Sequence, residues 1–288
     1  MKEMQFLKGG SLRNICSKLA IYRENAKTLA GGTDLMVSLN NDPNISGVLI
    51  SIKGYGLEYI RLEGKFLYIG ATTTLADVSQ SDKVQKMVPL LSTAVKQMGS
   101  SAIRNMGTIG GNLCNASPAA DTAVALLALG AKLKITSSQK TKVVNCERFF
   151  LGPKKNILKS DELLEEIIIP IQSTQNKWRW YKIGLRKSDT IAVISLAVSL
   201  SFQQEICHAV RIALGSVAPT PFLAEESASM LHGKTLTMEI IERVSQKVSE
   251  DISPIDDVRA TAWYRRTVAK KLMVKLLSQI AENISQGE

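Results

Sequence analysis

The sequence has few of the residues on which self-contained catalytic sites depend. Histidine occurs only twice, as His208 and His232, and neither lies in a catalytic-triad motif or an H-E-x-x-H metal motif. The four cysteines are Cys16, Cys114, Cys146 and Cys207. Their separations of 98, 32 and 61 positions do not match zinc or iron–sulfur ligand spacing, so we expect free thiols and no metal site. If the chain is an enzyme, we expect its chemistry to belong to a cofactor.

Long apolar runs are also missing. No stretch reaches the roughly 18 apolar residues that a membrane span requires. The N-terminal sequence MKEMQFLKGG lacks the apolar core of a signal peptide. We therefore expect a cytoplasmic protein with no membrane partner and no disulfide framework.

The charge is strongly positive, yet its pattern is not that of a nucleic-acid-binding protein. Lysine and arginine total 36 against 26 aspartates and glutamates, which gives a net charge of +10. The basic residues are scattered, only 5% of residues are aromatic, and no known motif is present, so we predict no nucleic-acid partner. Half of a C-terminal basic cluster is expected on the exposed side of an amphipathic helix, as a solvated face or a partner-subunit surface. The cluster comprises Arg259, Arg265, Arg266, Lys270, Lys271 and Lys275.

The order of predicted elements indicates an α+β fold. A length of 288 residues favours about two domains, and strands followed by a helix-rich end are typical of α+β proteins. The N-terminus predicts a small β-α-β-like unit, with Ser11 as a helix cap and Val48–Ile52 as a buried strand. The segment LLEEIIIP (163–170) predicts a strand that ends at proline, and IQSTQNK (171–177) predicts a linker. Three strand-like segments follow, at 178–186, 192–202 and 206–217.

The first of two glycine pairs lies in AGGTDL, residues 30–35. Gly31 and Gly32 allow positive φ and a close backbone approach to a ligand, and Thr33 can donate a hydroxyl group. Successive N–H groups that open a helix favour a phosphate, but G-x-G-x-x-G and the P-loop lysine are both missing. The segment is either an anion cradle of another kind or a tight strand-to-helix turn.

The second glycine pair lies in TIGGNLCNASPAAD, residues 108–121, which we interpret as a long loop. A long loop of small and polar residues inside a compact domain is usually functional. Thr108, Asn112 and Asn115 offer side-chain partners for hydroxyl groups and phosphates. Asp121 either accepts a hydrogen bond from a sugar hydroxyl or caps the helix that follows.

The two segments together resemble the FAD-binding subunit of the molybdenum hydroxylases, a family that includes xanthine dehydrogenase, aerobic CO dehydrogenase and nicotinate dehydrogenase. The pair AGGTDL and IRNMGTIGGN, in this order and at this separation, carries the resemblance. WYKIGLRKSDTIAVISLAV and GSVAPTPFLAEE resemble the C-terminal domain of the same flavoproteins. The resemblance implies an α+β, PCMH-like FAD-binding unit of two subdomains, residues 1–56 and 57–172. A C-terminal α+β domain with an antiparallel sheet and helices would follow, residues 177–288.

The resemblance also implies which residues bind FAD, in the cleft between the first two subdomains. The pyrophosphate would be held by the backbone of Ala30, Gly31, Gly32, Thr33, Asp34 and Leu35. The residues that would line the phosphates and the ribityl chain are Thr108, Gly111, Asn112 and Asn115, with Asp121 on flavin hydroxyls. Those that would flank or reach the isoalloxazine ring are Met98, Gly99, Leu164 and Lys182.

Two charged residues near this site have competing interpretations. Lys182 near the flavin N1–C2 carbonyl side would favour the anionic reduced flavin; otherwise it is a solvated lysine on a strand. Arg104 is expected to order its own loop. Some relatives carry an aromatic residue where this chain has Met98, so stacking on the flavin is not expected there.

The function implied is electron transfer, with no catalytic side chain in this chain. Electrons from a molybdopterin-binding large subunit would pass through the [2Fe–2S] clusters of a small subunit to FAD, and from there to an acceptor such as NAD⁺. A dimer of heterotrimers is implied. The alternatives are a self-contained FAD oxidase of the vanillyl-alcohol-oxidase class and a non-catalytic scaffold that has lost FAD. The substrate of the complex (a purine, nicotinate, CO or an aldehyde) stays open.

Overall fold

A small parallel sheet opens the structure, a computed structural model that describes residues 4–42, 46–171, 176–186 and 189–286. Its elements are β1 (Met4–Lys8), α1 (Leu12–Tyr22), β2 (Ala26–Leu29), α2 (Leu35–Asn41) and β3 (Gly47–Ser51). Strand β3 lies between β1 and β2 and is parallel to both. Ser11 caps α1 by accepting a hydrogen bond from the N–H of Asn14, as predicted. The β-α-β-like unit is confirmed, although β1 was not predicted.

A five-stranded antiparallel sheet with six helices forms the middle of the chain. Its elements are β4 (Ile60–Glu63), β5 (Phe66–Gly70), α3 (Leu75–Gln80), α4 (Asp82–Met87), α5 (Pro89–Lys96), α6 (Ser101–Met106), α7 (Ile109–Cys114), α8 (Asp121–Ala128), β6 (Lys132–Thr136), β7 (Thr141–Asn145), β8 (Phe150–Gly152), β9 (Lys155–Asn156) and β10 (Leu163–Pro170). The strand order is β4-β5-β10-β6-β7, while β8 and β9 pair separately. Strand β10, which has the predicted bounds, is central: Ile169 pairs with Leu67, and Leu164 with Ile135. Every residue of α8 is buried, so this helix forms the interior of the middle part.

A four-stranded antiparallel sheet covered by helices forms the C-terminal part. Its elements are β11 (Lys177–Gly184), β12 (Ala192–Gln203), β13 (Ile206–Gly215), β14 (Phe222–Leu223), α9 (Glu225–Ser229), α10 (Met238–Asp251) and α11 (Ala262–Ser285). The three predicted strands are confirmed. The amphipathic helix expected to carry part of the C-terminal basic cluster is α11, whose Leu272, Leu276 and Ile280 are buried. Most of the predicted linker, residues 172–175, lies outside the described residues. None of the helices within the described ranges is both long and apolar enough to cross a membrane.

The C-terminal sheet lies between two apolar cores. Trp180 of β11 and Ala197 of β12 belong to the same core as α5 and α8 of the middle part. The other face of the sheet packs against α10 and α11, through residues such as Leu196 and Val198. The C-terminal part is therefore packed directly onto the middle part, which places side chains of β11 next to the end of α5.

The C-terminal basic cluster divides between surface and interior. Arg266, Lys270, Lys271 and Lys275 are exposed, as expected for one face of a helix. Arg265 is buried and bonds Asp257 Oδ1 at 2.7 Å. Part of the positive charge therefore stabilises the fold instead of facing solvent.

Candidate cofactor-binding site

A cavity of about 580 Å³ lies where the N-terminal and middle parts meet, and both glycine segments line it. All predicted cofactor-binding residues line this cavity except Asp121 and Lys182. The lining ones are Ala30, Gly31, Gly32, Thr33, Asp34, Leu35, Met98, Gly99, Thr108, Gly111, Asn112, Asn115 and Leu164. The volume is within the range of about 300–1,000 Å³ that is typical of ligand and cofactor pockets. The structure thus brings together two segments that are separated by more than seventy positions in the sequence.

The first glycine segment connects β2 to α2 and depends on glycine for two different reasons. Gly32 has φ +74°, a conformation that other residues rarely adopt. Gly31 has no positive φ, but a Cβ atom on it would lie 1.9 Å from the carbonyl oxygen of Met106. The prediction of positive φ is confirmed for Gly32 alone. Gly31 is required where the first segment touches the end of α6, immediately before the second segment.

The second glycine segment contains a helix, so its interpretation as a continuous loop is wrong. Thr108 caps α7 by accepting a hydrogen bond from the N–H of Gly111 (3.1 Å). A Cβ atom on Gly110 would lie 2.6 Å from the Cβ of Ala71, so glycine lets the helix pack closely there. On Gly111, a Cβ atom would meet only Thr108 Oγ1, at 2.8 Å. One glycine of the pair therefore serves packing, and the other leaves space inside the cavity.

Polar side chains connect the two segments across the cavity. The Nδ2 of Asn115 donates to Asp34 Oδ1 at 2.8 Å, and Lys154 Nζ donates to Asn115 Oδ1 at 2.7 Å. Lys154 Nζ is also 3.9 Å from Asp34 Oδ1. Asn112 accepts a hydrogen bond from the hydroxyl of Thr122 in α8. These bonds hold α2 and α7 in a fixed arrangement around the space that they enclose.

The turn that follows α5 forms another wall of the cavity. Met98 and Gly99 lie on this turn, and Gly99 has φ +46°. Arg104 Nη1 donates to the carbonyl oxygens of Met98 and Gly99, both at 2.8 Å. The prediction that Arg104 orders its own loop is therefore confirmed.

Asp121 and Lys182 do not line the cavity but bond each other in the interior. Lys182 Nζ lies 2.6 Å from Asp121 Oδ2, and both side chains are about 95% buried or more. Lys182 also donates to the carbonyl oxygen of Gln97, at 3.0 Å. Burial raises the pKa of Asp121 above its ordinary value, although Lys182 opposes this effect.

The structure corrects two of the sequence-based interpretations of Asp121 and Lys182. Asp121 is the first residue of α8, where Ala120 is the cap and no side-chain capping bond forms, so the capping interpretation is wrong. Lys182 is buried, so it is not a solvated strand lysine. A contact of either residue with flavin stays a prediction.

Several lining residues were not predicted. Leu158, Glu162 and Leu163 reach the cavity beside Leu164, next to the start of the central strand. Glu162 accepts two hydrogen bonds from Lys142 Nζ (2.7 and 2.9 Å) and one from the backbone N–H of Lys159. Burial alone would raise the pKa of Glu162, but these bonds and the charges of the two lysines together outweigh burial and lower it. Cys114 also lines the cavity, and burial raises the pKa of its thiol to about 12. No motif marks Leu158, Glu162 and Leu163, whose proximity to the glycine segments arises from the fold of the middle part, whereas Cys114 lies inside the second glycine segment.

The donor set of the cavity suits an organic cofactor better than a metal ion. Within the described ranges, no group of three or more histidine, cysteine, aspartate or glutamate side chains is placed to hold a metal. The lining combines glycine backbone and small hydroxyl and amide side chains with apolar groups such as Met98 and Leu164. Pockets that bind cofactors have this composition: a largely apolar wall with a few oriented polar groups.

Comparison with known proteins agrees with this geometry. Residues 2–172 match a family model described as the FAD binding domain in molybdopterin dehydrogenase. Residues 179–280 match the CO dehydrogenase flavoprotein C-terminal domain. The chain is 31% identical to the glyceraldehyde dehydrogenase medium chain of Sulfolobus acidocaldarius, over 97% of this chain and 99% of that one. It is also 31% identical to the nicotinate dehydrogenase FAD-subunit of Eubacterium barkeri, over 97% of this chain and 98% of that one. Among solved structures, a chain of carbon monoxide dehydrogenase from Hydrogenophaga pseudoflava superposes with a TM-score of 0.92 and 28% identity, over 96% of each chain.

Proposed function

Because the chain belongs to the FAD-binding subunits of the molybdenum hydroxylase family, we propose that it carries electrons within such a complex. It would receive them from the [2Fe–2S] clusters of a small subunit, after oxidation of a substrate on a molybdopterin-binding large subunit. It would pass them to an acceptor such as NAD⁺. The relatives named above are medium or FAD subunits and align over nearly their whole length, which supports this role. We also propose a cytoplasmic dimer of heterotrimers.

The single observation that carries the proposal is the cavity in which the two glycine segments meet. The FAD pyrophosphate would lie against the backbone of Gly31–Thr33 and the segment from Thr108 to Gly111, where small residues leave room for it. The isoalloxazine ring would lie against the apolar part of the lining, which includes Met98 and Leu164. Asn112 and Asn115 would orient the polar middle of the cofactor.

The protein residues bind and orient, and none of them needs to act as a nucleophile. Bound FAD supplies the capacity to exchange electrons with a donor and an acceptor. The buried wall of Met98, Leu163 and Leu164 would exclude water from one side of the site. The Asp34–Asn115–Lys154 chain would hold the two glycine segments at a fixed separation.

We further propose that the three larger sheets correspond to three domains, with the boundaries 1–56, 57–172 and 177–288. The parallel sheet uses residues 4–51, the middle sheet 60–170, and the C-terminal sheet 177–223. The cavity would then lie between the first two domains, and the third domain would contact the turn at residues 97–99, which forms part of the cavity wall.

The experiment that tests the function is the visible spectrum of the purified full chain, alone and with added FAD, followed by chromatography of the released flavin. We expect the absorption bands of a bound flavin, and FAD instead of FMN upon release. The same measurement on the assembled complex tests the scaffold alternative, and a substrate-oxidation assay of the chain alone tests the oxidase alternative. A complex with molybdenum and iron–sulfur subunits but without flavin in this chain would support the scaffold. A chain that oxidises a substrate by itself would support the self-contained oxidase.

The location of the site is tested by Gly111→Leu, which adds a large side chain to a residue that lines the cavity. We expect loss of stoichiometric FAD with the thermal unfolding midpoint lowered only slightly, by the weakened cap. Gly111 is a better test than Gly32, because at Gly32 any side chain is strained by the positive φ. Gly152→Leu is the matched control, since a Cβ atom there meets nothing within 4 Å. Full FAD occupancy in Gly111→Leu would contradict the proposed site.

A further inference from the structure

The turn at residues 97–99 connects the C-terminal sheet to the cavity through Gln97. The indole Nε1 of Trp180 donates to Gln97 Oε1 at 3.1 Å, and Lys182 Nζ donates to the Gln97 carbonyl oxygen at 3.0 Å. Both donors belong to β11, and both side chains are largely buried. Gln97 itself does not line the cavity, whereas the next two residues, Met98 and Gly99, do.

The backbone of this turn is held from two sides. Its three successive carbonyl oxygens, those of Gln97, Met98 and Gly99, all accept hydrogen bonds from cationic side chains. Lys182 supplies the first bond from the C-terminal part, and Arg104 supplies the other two from α6. Hydrogen bonds from charged donors are stronger than neutral ones, so the turn has little freedom to move. The side chain of Gln97 adds one more bond to the C-terminal sheet, because its Oε1 accepts from the indole of Trp180.

We propose that Gln97 is a positioning residue, which couples β11 to the Met98–Gly99 wall and so fixes that wall against the flavin ring. The inference rests on the proposed function, because it requires FAD in the cavity. Hydrogen bonding and packing around a flavin set its absorption and its reduction potential. A wall that loses the Trp180–Gln97 bond keeps the three bonds from Lys182 and Arg104, so the fold around it stays intact while its contact with the ring becomes less close.

The test compares four variants of the full chain, each loaded with FAD. Trp180→Phe removes the donor to Gln97 and keeps an aromatic ring, and Gln97→Leu removes the acceptor. Gln97→Glu keeps an acceptor and is the conservative rescue. Trp178→Phe is the matched control, because Trp178 packs against the same core without bonding Gln97.

We expect Trp180→Phe and Gln97→Leu to release FAD about twofold to tenfold faster, the factor that corresponds to one hydrogen bond. Their flavin spectrum and midpoint potential should differ from those of the wild type, which a merely structural role would not produce. Trp178→Phe should resemble the wild type in all three measurements, and Gln97→Glu should resemble it in release rate, because the acceptor for Trp180 is kept while the added charge acts on the potential alone.

Two different failures can be distinguished. A wild-type chain that binds no FAD, alone or in its complex, would refute the proposed function and this inference with it. A wild type that binds FAD, with Trp180→Phe and Gln97→Leu unchanged in release rate, spectrum and potential, would refute the positioning role alone.

Discussion

Removing one partner of the buried ion pair between Asp121 and Lys182 should destabilise the chain far more than removing both. In Lys182→Met, the carboxylate of Asp121 stays in a site where its side chain is 4% exposed, with no opposite charge beside it. Breaking a buried pair in this way costs about 3–5 kcal/mol, whereas replacing both partners by apolar residues is often neutral. At about 2 °C or more per kcal/mol, the unfolding midpoint of Lys182→Met should fall by about 6 °C or more.

The assay is a double-mutant cycle of Lys182→Met, Asp121→Leu and their combination, measured by urea and thermal unfolding of the chain without added FAD. We expect the double variant to lie closer to the wild type than Lys182→Met does. If the two single effects simply add in the double variant, the pair contributes no coupling and the reasoning is refuted.

The same unfolding measurements at several pH values give a second, independent test of the ion pair. Burial already raises the pKa of Asp121, and loss of Lys182 removes the effect that opposes this rise. A carboxyl group whose pKa is higher in the folded state than in the unfolded chain binds more protons when folded, so folding is favoured as pH falls. The deficit of Lys182→Met should therefore be largest at neutral pH and shrink in mild acid. If the loss of stability in Lys182→Met is the same at pH 7 and pH 5, the carboxylate of Asp121 lies in water, which would contradict the structure.

Two further predictions concern residues outside this pair. Burial alone would raise the pKa of Asp257, but hydrogen bonds from Arg265 and Arg259 outweigh it and hold that pKa well below its usual range. The ionised Asp257 therefore stabilises the folded chain above about pH 4, and this stabilisation is lost as the pH falls further. In denaturant titrations, Asp257→Asn should lower the free energy of unfolding by about 3 kcal/mol at pH 7 and by progressively less below pH 4. A variant as stable as the wild type at pH 7 would contradict this prediction. Burial raises the pKa of the Cys114 thiol to about 12, so this thiol should react slowly with maleimide at pH 7. Bound FAD should slow the reaction further, which peptide mapping by mass spectrometry measures. Labelling at the same rate with and without FAD would place Cys114 outside the occupied cavity.

Elements with strong periodicity were predictable, and elements that depend on distant partners were not. The long helix α11 and strand β10 follow from apolar spacing alone. Strand β1 is a short edge strand with a mixed sequence, MQFLK, so its pairing with β3 leaves little trace in the pattern. Helix α7 contains two glycines, which disfavour helix formation, yet Thr108 caps it and the lack of a side chain at Gly110 lets it pack closely against Ala71. Here tertiary contact overrides local propensity.

The same distinction separates the site residues that the sequence predicted from those that it did not. The glycine segments carry recognisable motifs, and both line the cavity. Lys154 and Leu158 have no motif. Leu158 lines the cavity, and Lys154 bonds Asn115 of its lining, only because of the way in which the middle part folds around it. Asp121 and Lys182 are 61 positions apart, and only the packing of the C-terminal sheet onto α5 and α8 brings the two side chains into contact.

The central position of β10 has a consequence for the order in which the chain acquires its structure. Residues 163–170 separate β5 from β6 in the sheet, yet they are the last strand of that sheet to be synthesised. Until they emerge from the ribosome, β5 and β6 each present an unpaired edge, which is prone to wrong pairing. The pairing of Ile169 with Leu67 closes a loop of about a hundred residues, and closures of this length are slow. A chain interrupted before Leu163 would therefore expose two strand edges to aggregation, and the cavity walls formed by Leu163 and Leu164 would be missing from it.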